Sequence, residues 1–146
     1  MGWESRFLDM RVQDWDVILG KYLAAHVTAR FEYGINDCCR FAAGAVLAMT
    51  GIDVMAGISY SNRVGALRVL REFGGLEAAA HSIMARHGFP EIEVLRAQRG
   101  DMIIADLPKP CVGILGTDGW NGMFLSAEGH IIGVPLDQCR LAWRIA

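Results

Sequence analysis

An α+β domain is the fold class this sequence predicts, and three observations carry the prediction. Apolar residues recur at helical spacing up to about residue 90, and after Glu91 the period becomes extended. The turn-forming groups Pro108-Lys109-Pro110, Thr117-Asp118-Gly119 and Glu128-Gly129 punctuate the second half. A length of 146 residues with 53% apolar composition suits a single domain, 1–146, with one sizeable core. A helical part, about 1–90, is expected to pack on a small antiparallel sheet, about 91–146.

Each element follows from its own pattern. Phe7, Met10, Trp15, Ile18, Leu19, Tyr22 and Leu23 mark one or two amphipathic helices over 7–29, with Gly20 as the candidate divider. Asn36 and Asp37 are both good N-cap residues, and the apolar run Phe41 to Met49 follows them. The second helix is therefore expected to start near Cys38, to be buried on nearly all sides and to end at Thr50-Gly51. Residues 51–62 read as a loop. Val64, Leu67, Leu70 and Phe73 repeat every three residues opposite Arg63, Arg68, Arg71 and Glu72, a surface helix stopped by Gly74-Gly75. A short helix is expected from Leu76 to His87, closed by Gly88 and Pro90. Strands are expected at 102–105, 112–115, 123–126, 130–134 and 141–145.

Composition excludes several function classes. Fourteen Lys+Arg against sixteen Asp+Glu leave no basic footprint for nucleic acid or an anionic membrane. The longest apolar run is far short of the roughly 20 residues that span a bilayer. The start Met1-Gly2-Trp3-Glu4-Ser5-Arg6 lacks the order of a secretory signal, so synthesis in the bacterial cytoplasm and exit only by lysis or inside a particle are expected.

The most informative segment is Tyr33-Gly34-Ile35-Asn36-Asp37-Cys38-Cys39. A thiol in the first helical turn meets unpaired amide N–H groups and the positive end of the helix dipole, which favour a thiolate. Cys38 is thus a candidate nucleophile. Successive helical side chains diverge by about 100°, so only one of Cys38 and Cys39 is expected to face a given cleft. The alternative reading of Cys39, Cys111 and Cys139 is as small buried hydrophobes in a reduced protein. Four thiols also raise a thiol-ligated metal or iron–sulfur site. The absence of Cys-x-x-Cys spacing argues against one, and no cofactor or metal is expected.

Gly34, Asp37-Cys38 and the apolar helix after them resemble the nucleophile segment of NlpC-type papain-fold cysteine peptidases. Gln98-Arg99-Gly100-Asp101-Met102-Ile103-Ile104 is similar to the Gly-Asp turn and strand of those peptidases, and Cys111-Val112-Gly113-Ile114-Leu115-Gly116 to their next strand. In the peptidases that strand opens with the catalytic histidine; here the position is Cys111. A closer resemblance is to small proteins encoded beside phage and gene-transfer-agent tail genes, which share the Tyr-Gly-x-x-Asp-Cys block, the Arg-Gly-Asp strand and an ending like Ala142-Trp143-Arg144.

The resemblance implies a papain-like α+β fold and a tail-tip structural or assembly protein of a phage or prophage-derived virion, lacking the usual catalytic histidine. Its partners would be other tail-tip or baseplate proteins. The alternative it implies is an active cysteine peptidase or amidase cleaving peptidoglycan peptides during DNA delivery. It also implies that Cys38 and Cys111 lie close together, with a disulfide between them as a minor alternative, and puts Ser126 near the orienting position.

Of His26, His81, His87 and His130, only His130 falls in the sheet half, making it the one candidate base; the competing reading is a turn histidine. His81 and His87 are six apart and do not share a helix face. Asp37 and Tyr33 flank the thiol as candidate binding residues. Trp3, Trp15, Trp120 and Trp143 are read as core or interface anchors, with a glycan groove as the alternative. Trp120, in the glycine-studded segment 116–122, is the best local candidate for a contact surface.

Overall fold

A computed structural model describes residues 10–145. The expected residues Trp3 and Phe7 lie outside the described residues. Among the described residues, four α-helices precede a six-stranded antiparallel sheet in a single α+β domain. The helices are α1 (Trp15–His26), α2 (Cys38–Thr50), α3 (Arg63–Phe73) and α4 (Leu76–Arg86). The strands are β1 (Glu91–Ile92), β2 (Met102–Asp106), β3 (Pro110–Leu115), β4 (Asn121–Leu125), β5 (Ile131–Pro135) and β6 (Leu141–Trp143), in the order β1-β6-β2-β3-β4-β5.

The caps explain where the helices lie. Asp37, rather than Asn36, caps α2: its side chain accepts the Arg40 N–H at 2.8 Å. Gly51 closes α2 at φ +78°, its N–H bonded to Leu47 O. Gly20 does not divide α1, which runs unbroken through it. A glycine interior to a helix costs only about 1 kcal/mol against alanine, which the packing of Leu19 and Tyr22 on α2 outweighs. Strand β1 escaped the sequence reading because two residues carry no detectable alternation.

The core has two layers, one on each face of the sheet. Helix α2 buries Ala42, Ala43, Ala45, Val46 and Met49 against Leu19, Met102, Ile104, Val112, Ile114 and Trp143. Ile103, Ala105, Leu115, Phe124, Val134 and Ala142 point the other way into a second cluster. The alternation of Met102–Ile103–Ile104–Ala105 between the two is the period-2 geometry of a strand buried on both sides.

One buried carboxylate ties the chain's distant parts together. Asp101 is fully buried and accepts from Arg11 Nη2 (2.9 Å), Arg144 Nε (3.0 Å), Gln98 N (2.8 Å) and Ile145 N (3.0 Å). The Arg-Gly-Asp block and the Ala-Trp-Arg ending are therefore two halves of one ionic knot. Arg144 also donates to Arg96 O, and Arg11 to Arg99 O.

Candidate functional site

Cys38 sits at the first position of α2 because Asp37 holds the turn before it from three sides. Besides the Arg40 N–H, the buried Asp37 carboxylate accepts Gly34 N–H at 2.9 Å and the Tyr60 hydroxyl at 2.6 Å. Gly34 has φ +83°, and a Cβ there would lie 1.8 Å from the Tyr60 carbonyl oxygen, so the motif glycine is required by both conformation and close approach. Arg40 braces the same loop through Ile58 O and stacks over the Tyr60 ring. Tyr60 was not singled out in the sequence. Nothing in a lone loop tyrosine signals that it will reach the helix cap.

The strand partner arrives from β3. Strand β4 pairs only with Ile114 and Leu115, so the start of β3 lies beyond that ladder and meets the N-terminus of α2. The Cys38 and Cys39 sulfurs lie 3.9 Å apart, either able to donate, and the Cys111 thiol, 3.9 Å from Val112 O, lines the same cleft. Hydrogen bonding with the Cys111 side chain first, then with that of Cys39 and with the Val112 and Cys39 backbone, holds the Cys38 thiol well below its ordinary pKa against the opposing effect of burial. Donation to Cys38, and then burial, push the Cys111 and Cys39 thiols far up. All four cysteines are free and half-buried.

One expectation changes here. Cys38 and Cys39 both line the same cleft, because the cleft wraps around the end of α2 instead of facing one of its sides. Cys39 and Cys111 pack against the two core clusters, as small hydrophobes would, and also lie beside Cys38 in the cleft. Cys139 lies apart, its thiol toward Pro135 O at 3.6 Å and its pKa pushed up to about 11 by burial.

The cleft is a cavity of about 380 Å³. Tyr33, Asp37 and Ser126 line it with the three cysteines, but none of the four histidines does. His130 is an exposed turn residue whose backbone N–H, not its ring, meets Ser126 Oγ at 3.3 Å. His26 stacks on Tyr22 and Phe41, with Nδ1 2.8 Å from Tyr22 O. His81 lies between Glu77 and Glu91 over Trp143. Among the described residues no group of three or more His, Cys, Asp or Glu could hold a metal ion, and no helix is long and apolar enough to cross a membrane.

Away from the cleft, Asp118 accepts Trp120 N–H (2.8 Å), Asn121 N–H (3.0 Å) and Asn121 Nδ2 (2.9 Å), and the Asn121 side chain foremost lowers its pKa. This fixed turn presents Trp120 with 75% of its surface exposed. Trp143 is core, and Trp15 is half-buried beneath the Arg11 and Arg99 guanidiniums.

Residues 10–145 match the family described as Domain of unknown function (DUF6950). The chain belongs to that family. No curated protein matches it. The match begins just before Arg11 and ends at Ile145, so it takes in both ends of the Asp101 knot of this DUF6950 domain as well as the thiol cleft.

Proposed function

We propose that this DUF6950 chain is a papain-like, NlpC-type domain that has given up peptide hydrolysis and serves as a structural or assembly component of a phage-type tail tip. The observation that carries the loss of hydrolysis is the thiol of Cys111 at the strand position facing Cys38, in a cleft that no imidazole lines. Amide cleavage by a cysteine needs a group that protonates the departing amine as well as a nucleophile. Thiols shifted upward in pKa supply neither an imidazolium nor a base near neutral pH. The tail assignment is supported by the sequence resemblance, with Asp101 and Arg144 as its physically coupled motifs. The exposed Trp120 on its rigid turn supplies an aromatic anchor for a protein partner.

The active-peptidase reading is favoured by one feature, the lowered pKa of Cys38. Incubating the protein with peptidoglycan stem peptides separates the two. No cleavage is expected from the unmodified chain, and cleavage lost in Cys38→Ala would replace this reading with the enzymatic one. Co-expression with neighbouring tail proteins is expected to yield a complex weakened by Trp120→Ala. A chain that stays monomeric and binds none of them overturns the structural role.

A further inference from the structure

Helix α3 presents an unusual surface. Its sequence is strongly amphipathic, yet none of its eleven residues is buried. Leu67, Leu70 and Phe73 line the cavity, together with Val54, Ile83 and Met84. An apolar stripe over a void forgoes about 25 cal/mol for each Å² it would bury, an arrangement characteristic of a ligand site. At 380 Å³ the space falls in the range of roughly 300–1,000 Å³ of small-molecule pockets. The sulfur of Cys38 opens into it. Arg63 and Lys109, both exposed, stand at its edge, and among the described residues neither forms an ion pair.

We propose that Cys38 is an acyl acceptor: it takes a long-chain fatty acyl group from a thioester donor and lodges the chain in the apolar cavity beneath α3. The chemistry available selects the donor class. The Cys38 thiolate attacks the acyl carbonyl carbon, a new C–S bond forms, the donor's C–S bond breaks, and the donor leaves as a thiolate that takes a proton from water. Thiolate enters and thiolate departs, so the exchange needs neither the general base nor the general acid that the cleft lacks, whereas an amide or oxygen ester needs its leaving group protonated. The position of Cys38 at the first turn of α2, with the Cys39 and Cys111 thiols beside it in the cleft, favours its thiolate as the attacking form. Arg63 and Lys109 favour donors whose thiol-bearing portion is phosphorylated. The inference stands apart from the tail assignment, because it concerns thiol chemistry and not partner binding.

The test incubates the purified full chain with palmitoyl-coenzyme A below its micelle concentration, and in parallel with acetyl-coenzyme A, and follows the intact mass. A palmitoyl adduct is expected on Cys38 by peptide mapping, removable by neutral hydroxylamine and absent in Cys38→Ser. Because each buried methylene adds binding, the palmitoyl donor should react about ten-fold faster or more than the acetyl donor. Ala66→Trp, which fills the cavity, and Leu67→Glu, a milder change at a part-exposed wall position, should each bring that ratio toward one, with folding checked by circular dichroism. The ratio is internal to each variant, so a change in overall reactivity does not mimic the result. No adduct, equal rates for the two donors, acylation of Cys139 instead of Cys38, or a ratio unmoved in both cavity variants overturns the proposal.

Discussion

Replacing Asp101 with alanine removes the carboxylate that joins the two ends of the described chain. Four hydrogen bonds disappear at once, two of them to guanidiniums and two to backbone N–H groups of Gln98 and Ile145. The Arg11 side chain is only 9% exposed, so its charge stays largely desolvated once its carboxylate partner is gone. Arg144, at 30% exposure, recovers part of its solvation. Breaking a buried pair by deleting one partner costs about 3–5 kcal/mol. The partial relief at Arg144 places the expectation toward about 3 kcal/mol, a large share of the 5–15 kcal/mol that typical domains possess. Urea unfolding followed by tryptophan fluorescence measures it, and an unchanged m-value would show that the midpoint shift reports stability. Asp101→Asn keeps one acceptor oxygen and should lose less. A loss below about 1 kcal/mol in Asp101→Ala would refute the view that this carboxylate organises the fold, since that is the range of an exposed ion pair.

Thiol reactivity separates the cysteines by pH. With its pKa depressed, Cys38 should alkylate with iodoacetamide at a rate nearly flat from neutral pH upward, whereas Cys139, at about 11, should accelerate only as alkali is approached. Mapping that finds Cys38 the slowest thiol removes the thiolate assignment. Folding linkage runs in opposite directions for the two thiols: a depressed Cys38 contributes stability above the unfolded thiol pKa that is lost as pH falls through its folded value, while the raised Cys139 contributes below the unfolded pKa and its contribution is lost as pH rises toward about 11. Cys111→His restores an imidazole beside Cys38 and should raise stem-peptide cleavage from background to a measurable rate; the double variant with Cys38→Ala must abolish it. Gly34→Ala should cost upwards of about 2 kcal/mol and slow Cys38 alkylation, because a Cβ collides with the backbone of Tyr60 and displaces the Asp37 cap. A thermally and chemically unchanged Gly34→Ala would show that the turn relaxes without disturbing the thiol.

Local chemistry was legible from the sequence because it acts over a few residues. The start of α2 at Cys38, its glycine stop, the stripe of α3, the glycine break before α4 and the centres of five strands follow from caps and periods that neighbouring residues enforce. Asp37 as a cap was readable for the same reason. Tertiary structure alone decided everything that needs two distant segments. The Asp101 carboxylate is an ordinary turn residue until Arg11 and Arg144 arrive from the far ends of the described chain. Tyr60 becomes part of the cap only because the loop after α2 folds back on Gly34. Periodicity could assign α3 an apolar face but not say that it would hang over a cavity, since what lies opposite a helix is set by how loops place α4 and β3. The same holds for the thiols. Helical spacing sets Cys38 and Cys39 at different angles, yet both line one cleft, and only the packing of α2 against the part of β3 that lies beyond the β4 ladder brings Cys111 beside them.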